Sequence, residues 1–198
     1  MSEISLLEQY KYFKPAVDAI REDETDAFYV GDGAESIVWK ASVDDREYAI
    51  KFIKKLSPRG RPRNIERAVS LKMKSGYRGI GIRGLEQIRA ASIDEGIVIY
   101  DFATGINVKT INEEQLSIEI DPNNIEDLKQ TVSVASQRGI EFDGWNSSGA
   151  NVFYDPTLGF TVIDYLVAER LISYEVNYKN LMKSMGTLGV KLALQKST

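Results

Sequence analysis

Three polar residues in the stretch GIEFDGWNSSGANVFYDPTLGFTVIDY have the types and spacing of a metal-assisted phosphoryl-transfer site: Asp143, Asn151 and Asp164. The runs NVFYD and GFTVIDY read as a hairpin around PTLG, so Asn151 and Asp164 bracket its open end. An amide oxygen and a carboxylate placed there can hold one Mg²⁺ together with phosphate oxygens, because Mg²⁺ takes hard oxygen ligands and commonly only one or two from the protein. Asp143 lies earlier, after a helix that ends near Gly139, where a carboxylate could orient a hydroxyl nucleophile.

Two stretches nearer the N-terminus suit the other end of a phosphate chain. In VGDGAESIVWK, Gly31 and Gly33 join one strand to the next, and their missing side chains let backbone amides approach phosphates. A Gly-Asp-Gly hairpin is also an ordinary turn. Because it leads into a strand and not a helix, it disfavours a dinucleotide-binding or P-loop fold. Lys51 in EYAIKFI is flanked by Ala49, Ile50, Phe52 and Ile53. An inward-facing ammonium in so apolar a strand needs an anion, since an unpaired buried charge is costly. A nucleotide phosphate would serve, and Glu66, the only acid between Lys51 and Glu86, is the natural side-chain partner. The alternative is an edge strand whose lysine reaches solvent.

Composition removes most other chemistries. The chain has no cysteine and no histidine, which excludes disulfides, thiolate and imidazole metal sites, and Ser-His or Cys-His catalysis. What remains must run on carboxylates, Lys, Arg, amides and hydroxyls. With 43% apolar and 27% charged residues the chain reads as folded, neither disordered nor coiled coil, and 198 residues suit one domain or two small lobes around a cleft. No apolar run approaches the roughly 20 residues of a membrane helix, and MSEISLLEQYKYF lacks the order of a signal peptide, so a cytoplasmic location is expected. The net charge is only −4, yet twelve Lys or Arg and just two acids, Glu66 and Glu86, fall between Lys51 and Arg89. That segment calls for an anionic partner or ligand.

The elements that must position these residues follow from periodicity. Residues 5–20 read as an amphipathic helix with SLLE as a capping box and Leu7, Tyr10, Phe13, Val17 and Ile20 on one side, weakened by Pro15. AFYV, IVWKASV and EYAIKFI form a three-stranded meander with a turn at Asp44 and Asp45. SPRGRPR can be neither helix nor strand; a helix capped by Asn64 then runs to Gly76. EQIRAAS and GIVIYDF are strand-like, and a helix over IEDLKQTVSVASQR ends with Gly139 as its C-cap. Val167, Leu171, Tyr174 and Tyr178 have helical spacing.

A glycine-rich strand–turn–strand, the lysine of AIK, a helix glutamate, the hinge-like IVIYDF and then Asp, Asn and Asp occur in this order, and the sequence thereby resembles the eukaryotic-like protein kinase superfamily. The resemblance runs from about Val30 to Tyr165, and the thirteen-residue step from Asn151 to Asp164 is its most specific part. It implies one α+β domain over 1–198: an N-terminal helix and small antiparallel-sheet lobe over 1–100, then a hinge and a reduced helical lobe over 101–198. It implies ATP in the cleft, covered by Gly31 and Gly33 and lined by Ser36, Val38 and Ala49. Lys51 would touch the phosphates while paired with Glu66, and Tyr100, Asp101, Phe102 and Ala103 would form the adenine-side hinge. Asp143 would be the catalytic acid and Asn151 and Asp164 the Mg²⁺ ligands.

The sequence also departs from that pattern. Glu141 and Phe142 stand where the family has His-Arg, which removes the pocket that reads a phosphorylated activation loop. Only 34 residues follow Asp164 and no Ala-Pro-Glu is present, as in the minimal kinases of some phages and those that some bacteria deliver into host cells. IDY replaces Asp-Phe-Gly. Asp143 to Asn151 is eight residues where the family uses five; counting back five gives Asn146, an amide that cannot accept a proton as a carboxylate does. Either the loop carries three extra residues and Asp143 is catalytic, or Asn146 holds that position in a pseudokinase. RGIEFD as a lead-in and the small residues Ser147, Ser148 and Gly149 favour the first.

The expected function is therefore transfer of the γ-phosphate of Mg-ATP to Ser or Thr of a protein. A pseudokinase acting as a regulatory interaction module is the alternative, and a small-molecule phosphotransferase, which usually needs a large helical acceptor region, ranks third. Pro58–Arg63, PRGRPR, resembles the AT-hook core that lies in the minor groove of A/T-rich DNA. Docking to an acidic protein partner or substrate is preferred over DNA for this single short basic match.

Overall fold

Asp44 and Asp45 take φ of +48° and +60°, the left-handed pair that closes a two-residue hairpin with the twist its strands require. That turn joins the central strands of a five-stranded antiparallel sheet. The computed structural model describes residues 3–22, 27–57, 59–142, 144, 148–168, 170 and 172–194. The chain is mixed α+β and divides into two compact units, Met1–Tyr77 with Gln87–Phe102, and Arg78–Glu86 with Ala103–Thr198. The division falls two residues beyond the expected 100/101, and a nine-residue segment of the first half belongs to the second unit.

The first unit contains α1 (Glu3–Arg21), β1 (Phe28–Asp32), β2 (Ser36–Val43), β3 (Arg46–Ile53), α2 (Ile65–Gly79), whose last two residues belong to the other unit, β4 (Ile88–Ser92) and β5 (Ile97–Asp101). The sheet order is β1-β2-β3-β5-β4, so the meander is extended by the hairpin of the two later strand-like runs. Tyr10, Phe13, Val17 and Ile20 of α1 are buried against Ala41, Tyr48, Ile50, Ala90, Ile97 and Ile99. The expected stripe is led by Leu6, fully buried, and not by Leu7, which is 38% exposed. The helix already includes Glu3 and Ile4, so Ser5 is not its cap. Pro15 sits inside the helix without ending it. An interior proline costs about 3 kcal/mol, and burying each apolar side chain of the stripe returns roughly 1.5–3.

Asn64 caps α2 as expected: its Oδ1 accepts from the Arg67 N–H at 2.8 Å. The helix runs on through Gly76 because that residue faces Ile88, whose Cβ would lie 2.7 Å from any added Cβ. Glycine there serves close packing and not termination.

The second unit contains β6 (Ile106–Asn107), α3 (Val108–Glu113), α4 (Pro122–Gln137), β7 (Ile140–Glu141), β8 (Val152–Asp155), β9 (Gly159–Val162), β10 (Leu166–Val167), α5 (Tyr174–Ser184) and α6 (Gly186–Leu194). Asp121 caps α4 through Asn123 N–H at 2.8 Å, so the helix begins at Pro122, three residues before the expected start, and Gly139 at φ +65° follows its end. The hairpin about PTLG forms as β8 and β9, with Asp155 Oδ1 accepting from Thr157 and Leu158 in the turn. Val167 is not helical: it pairs with Ile140 in the short β10–β7 ladder, and Leu171 lies outside the described residues. Tyr174 and Tyr178 do share a helix and stack at 5.7 Å. Phe142, Tyr154, Ile140, Leu181 and Met185 centre the core. No helix among the described residues is long and apolar enough to cross a membrane.

The placement of the α1 stripe predicts that Leu6→Ala destabilises the protein by about 2–5 kcal/mol while Leu7→Ala changes stability by no more than about 0.5. Urea denaturation followed by circular dichroism measures both; equal effects would contradict the assigned face.

Candidate functional site

In the first unit the strand register gathers the predicted nucleotide-side residues on one face. Residues opposite one another across antiparallel strands point the same way, and Gly31 pairs with Val38, Val38 with Lys51, and Lys51 with Val98. Ala49 lies opposite Tyr100 and Ser36 opposite Ile53, so Gly31, Ser36, Val38, Ala49, Lys51 and Tyr100 share the face that α1 does not cover. Lys51 stands on a central strand and is only 3% exposed, which removes the edge-strand alternative. Its Nζ lies 4.5 Å from the centroid of the Tyr100 ring, a cation–π contact.

Two expectations about the backbone change. Gly33 N–H is donated to Ser36 C=O at 2.9 Å, so that amide closes the turn and is not spare. Neither Gly31 nor Gly33 takes a left-handed φ, and a Cβ at Gly31 would meet nothing within 4 Å. The chain's own packing therefore gives no reason for glycine at 31. In the expected hinge, Asp101 N–H is donated to Gln87 C=O at 2.9 Å and Phe102 N–H to Glu47 C=O at 3.1 Å. Asp101 is also held by a bidentate ion pair with Arg89, and the Phe102 ring sits under Lys40. Ala103 is where the chain enters the second unit.

Glu66 is a correction. It stands exposed in the first turn of α2 and makes no ion pair among the described residues, so the expected pair with Lys51 is not formed. Glu66 lies one turn before Val69, Met73 and Gly76, the buried stripe of α2, but at the exposed first turn of the helix, where its charge favours the helix N-terminus. The acid that does reach α2 is Glu35 of the Gly-rich turn, which meets Lys72 at 3.5 Å and Arg63 at 3.3 Å.

In the second unit the hairpin places the two predicted metal ligands together. Val152 pairs with Val162, and Ile163 N–H is donated to Asn151 C=O at 2.9 Å, so the chain is tied at the level of Asn151 just before Asp164 departs. Asp164 then takes φ +54°, unusual for a residue with a Cβ and typical of strained functional positions. Tyr165 is buried, and its hydroxyl donates to Glu86 C=O at 2.8 Å. Burial, and next the Glu86 charge, push its phenol well above the ordinary range, so it stays a protonated donor far into alkali.

The lead-in to Asp143 is held beside the same segment. Leu166 pairs with Glu141 and Val167 with Ile140, and Ala168 N–H reaches Gly139 C=O at 2.9 Å. Asn177, fully buried on α5, accepts from Phe142 N–H at 2.9 Å and donates to Ile140 C=O and Ser136 Oγ. At the far end of the loop Gly149, at φ +85°, is packed so closely on Lys109 N that a Cβ would lie 2.8 Å away, and Asn107 donates to Ala150 C=O. Both anchors of the loop are thus fixed. Asp143 and Asn146 themselves lie outside the described residues.

Glu86 (4% exposed), Tyr165 and Asn177 are the residues that sequence reasoning left out of the site. Glu86 was visible as one of the two acids in the basic segment, whereas Asn177 had only its place among apolar residues of a helix to mark it. One carboxylate and one amide at a hairpin mouth suit Mg²⁺, which completes its shell with phosphate and water oxygens. Among the described residues no group of three or more acids gathers into a metal cage of its own. No protein-family model matches this sequence, and no curated protein matches it.

The left-handed backbone at residue 164 makes a prediction of its own. Asp164→Gly and Asp164→Ala lose the same carboxylate, but the alanine variant should be less stable by about 1 kcal/mol, because only glycine tolerates this φ without strain. Paired urea melts measure the difference, and equal stability would contradict the assigned conformation.

Proposed function

We propose that this chain is a minimal kinase-fold protein that binds Mg-ATP and transfers the γ-phosphate to a Ser or Thr hydroxyl of a protein. The observation that carries the reading is the mouth of the β8–β9 hairpin. There Asn151 and Asp164 flank a backbone tie, Asp164 is held in a strained conformation, and the β7–β10 ladder keeps the approach to Asp143 alongside. The gathering of Gly31, Val38, Ala49, Lys51 and Tyr100 on one sheet face supports it.

In this reading ATP supplies the transferable group and Mg²⁺ the charge that offsets its phosphates. Asn151 and Asp164 hold the metal through oxygen atoms. Lys51, kept from water, binds a phosphate oxygen more strongly than an exposed lysine would, because the local dielectric is low. Val38 and Ala49 give the apolar surface on which a purine rests. Asp143 accepts a hydrogen bond from the acceptor hydroxyl, aligns its oxygen and takes its proton as transfer proceeds. Such catalysis is chiefly positioning and electrostatics, so an eight-residue step to Asn151 is compatible with it provided that the carboxylate reaches the hydroxyl.

The test is transfer of labelled phosphate from ATP, with Mg²⁺, to the protein itself and to a mixed protein substrate. Wild type should transfer, and Lys51→Met, Asp143→Ala and Asp164→Ala should each lose on the order of a hundredfold or more. Asn146→Ala should stay within a few fold. Full activity in Asp164→Ala would overturn the assignment, and loss in Asn146→Ala with none in Asp143→Ala would move the base. Thermal stabilisation by Mg-ATP without any transfer would make the protein a nucleotide-binding regulatory module instead.

A further inference from the structure

The segment Lys54–Tyr77 carries eight Lys or Arg and one acid, in a chain whose net charge is −4, so the remainder is strongly acidic. The structure divides these cations into two sets. Those turned toward the sheet are matched: Lys54 with Asp32, and Arg63 and Lys72 with Glu35. Lys55, Arg59, Arg61, Arg67 and Lys74 are exposed and have no ion pair among the described residues. Elsewhere in the same unit Lys14, Arg21, Lys40 and Arg89 have carboxylate partners, while Lys11 and Arg46 stand singly, exposed and without an ion pair among the described residues. The five outward cations therefore serve no internal contact, and gathering like charge costs the fold self-repulsion.

Their setting is hydrogen-bonded and partly apolar. The loop that displays Arg59 and Arg61 is folded on itself: Ser57 N–H reaches Arg61 C=O at 2.9 Å, Gly60 N–H reaches Ser57 C=O at 2.8 Å with Gly60 at φ +72°, and Leu56 bridges to Pro62. Arg63 N–H, bonded to Lys55 C=O at 2.8 Å, closes its base just before α2 begins. Along the outer side of α2, Arg67, Leu71 and Lys74 follow at helical spacing. Leu56 is 55% exposed, Leu71 50% and Tyr77 43%. Two bare leucines among five unmatched cations have no use for a phosphodiester backbone, which offers them neither apolar contact nor stacking.

We propose that the outer face formed by Lys55, Leu56, Arg59, Arg61 and α2 is a docking surface for a short segment of a partner protein in which acidic residues alternate with leucine-like ones; Pro58 lies outside the described residues. The cations take the carboxylates and the leucines take the apolar side chains. Nucleic acid fits less well on three counts. The loop is a closed turn where an AT-hook must be an extended strip, Tyr77 is the one exposed aromatic ring among these residues, and the acidic remainder of the chain repels a long polyanion more than a short peptide. The surface does not depend on nucleotide binding, and its loss leaves the phosphoryl-transfer reading untouched.

Fluorescence anisotropy with the full chain tests it. The probes are a labelled peptide of alternating Glu and Leu, its Lys-for-Glu counterpart, an A/T-rich DNA duplex and a single-stranded RNA. The Glu-Leu peptide should bind saturably, and more weakly as salt rises. Its affinity should fall about tenfold or more in Arg59→Glu/Arg61→Glu, and severalfold in both the milder Arg59→Gln/Arg61→Gln and Leu71→Ser. All three positions are exposed, so circular dichroism of the variants should match wild type. Unchanged peptide affinity in the charge-reversed protein, absence of saturable peptide binding, or tighter binding of either nucleic acid at the same salt would overturn the proposal.

Discussion

The backbone of Asp164 is constrained from both sides, and the second unit is arranged around that constraint. Before it, Ile163 N–H is tied to Asn151 C=O; after it, the Tyr165 hydroxyl is tied to Glu86 C=O, and the next two residues enter a ladder with β7. A left-handed residue with a Cβ costs roughly 1–2 kcal/mol, and each neighbouring hydrogen bond returns about 1. The strain therefore persists because the surroundings leave no other path. The same bonds set where the approach to Asp143 runs, since the partners of β10 are Ile140 and Glu141. Arg138, donating to Ile80 C=O, and Thr131, donating to Arg83 C=O, hold the segment that carries Glu86.

Burial of Lys51 is the matching constraint in the first unit. A central strand and the Tyr100 ring take the ammonium largely out of water, where it is costly unless an anion is near. The face around it holds small and apolar residues, and the back of the sheet is sealed by α1. Any charge that Lys51 meets in so sheltered a place is poorly screened.

Much of this was legible in the sequence because it is written in short-range chemistry. Asp44-Asp45, the Asn64 cap, PTLG with Asp155 before it, and Gly139 after α4 are local signals, and the structure has a turn, cap or helix end at each. The hairpin mouth followed from counting. What escaped depends on long-range packing or on which way a helix faces. Leu6 and Leu7 differ by one position in register, and only the sheet decides between them. Glu66 looked like the partner of Lys51 because no other acid was near in sequence, but it stands exposed in the first turn of α2 and makes no ion pair among the described residues. Gly76 looked like a helix end, and the approach of Ile88 made it a contact instead. Asn177 could not be read at all, since its three partners lie some 35 to 41 positions away.

The account rests on Asn151 and Asp164 holding one divalent ion together with a nucleotide. Electron paramagnetic resonance of Mn²⁺, a close stand-in for Mg²⁺, reads this directly. Adding the protein to Mn²⁺ and ATP should deplete the signal of the freely tumbling Mn-ATP complex, and Asp164→Ala should abolish that depletion while circular dichroism remains native. Equal depletion by wild type and Asp164→Ala, or none by wild type, would contradict the account.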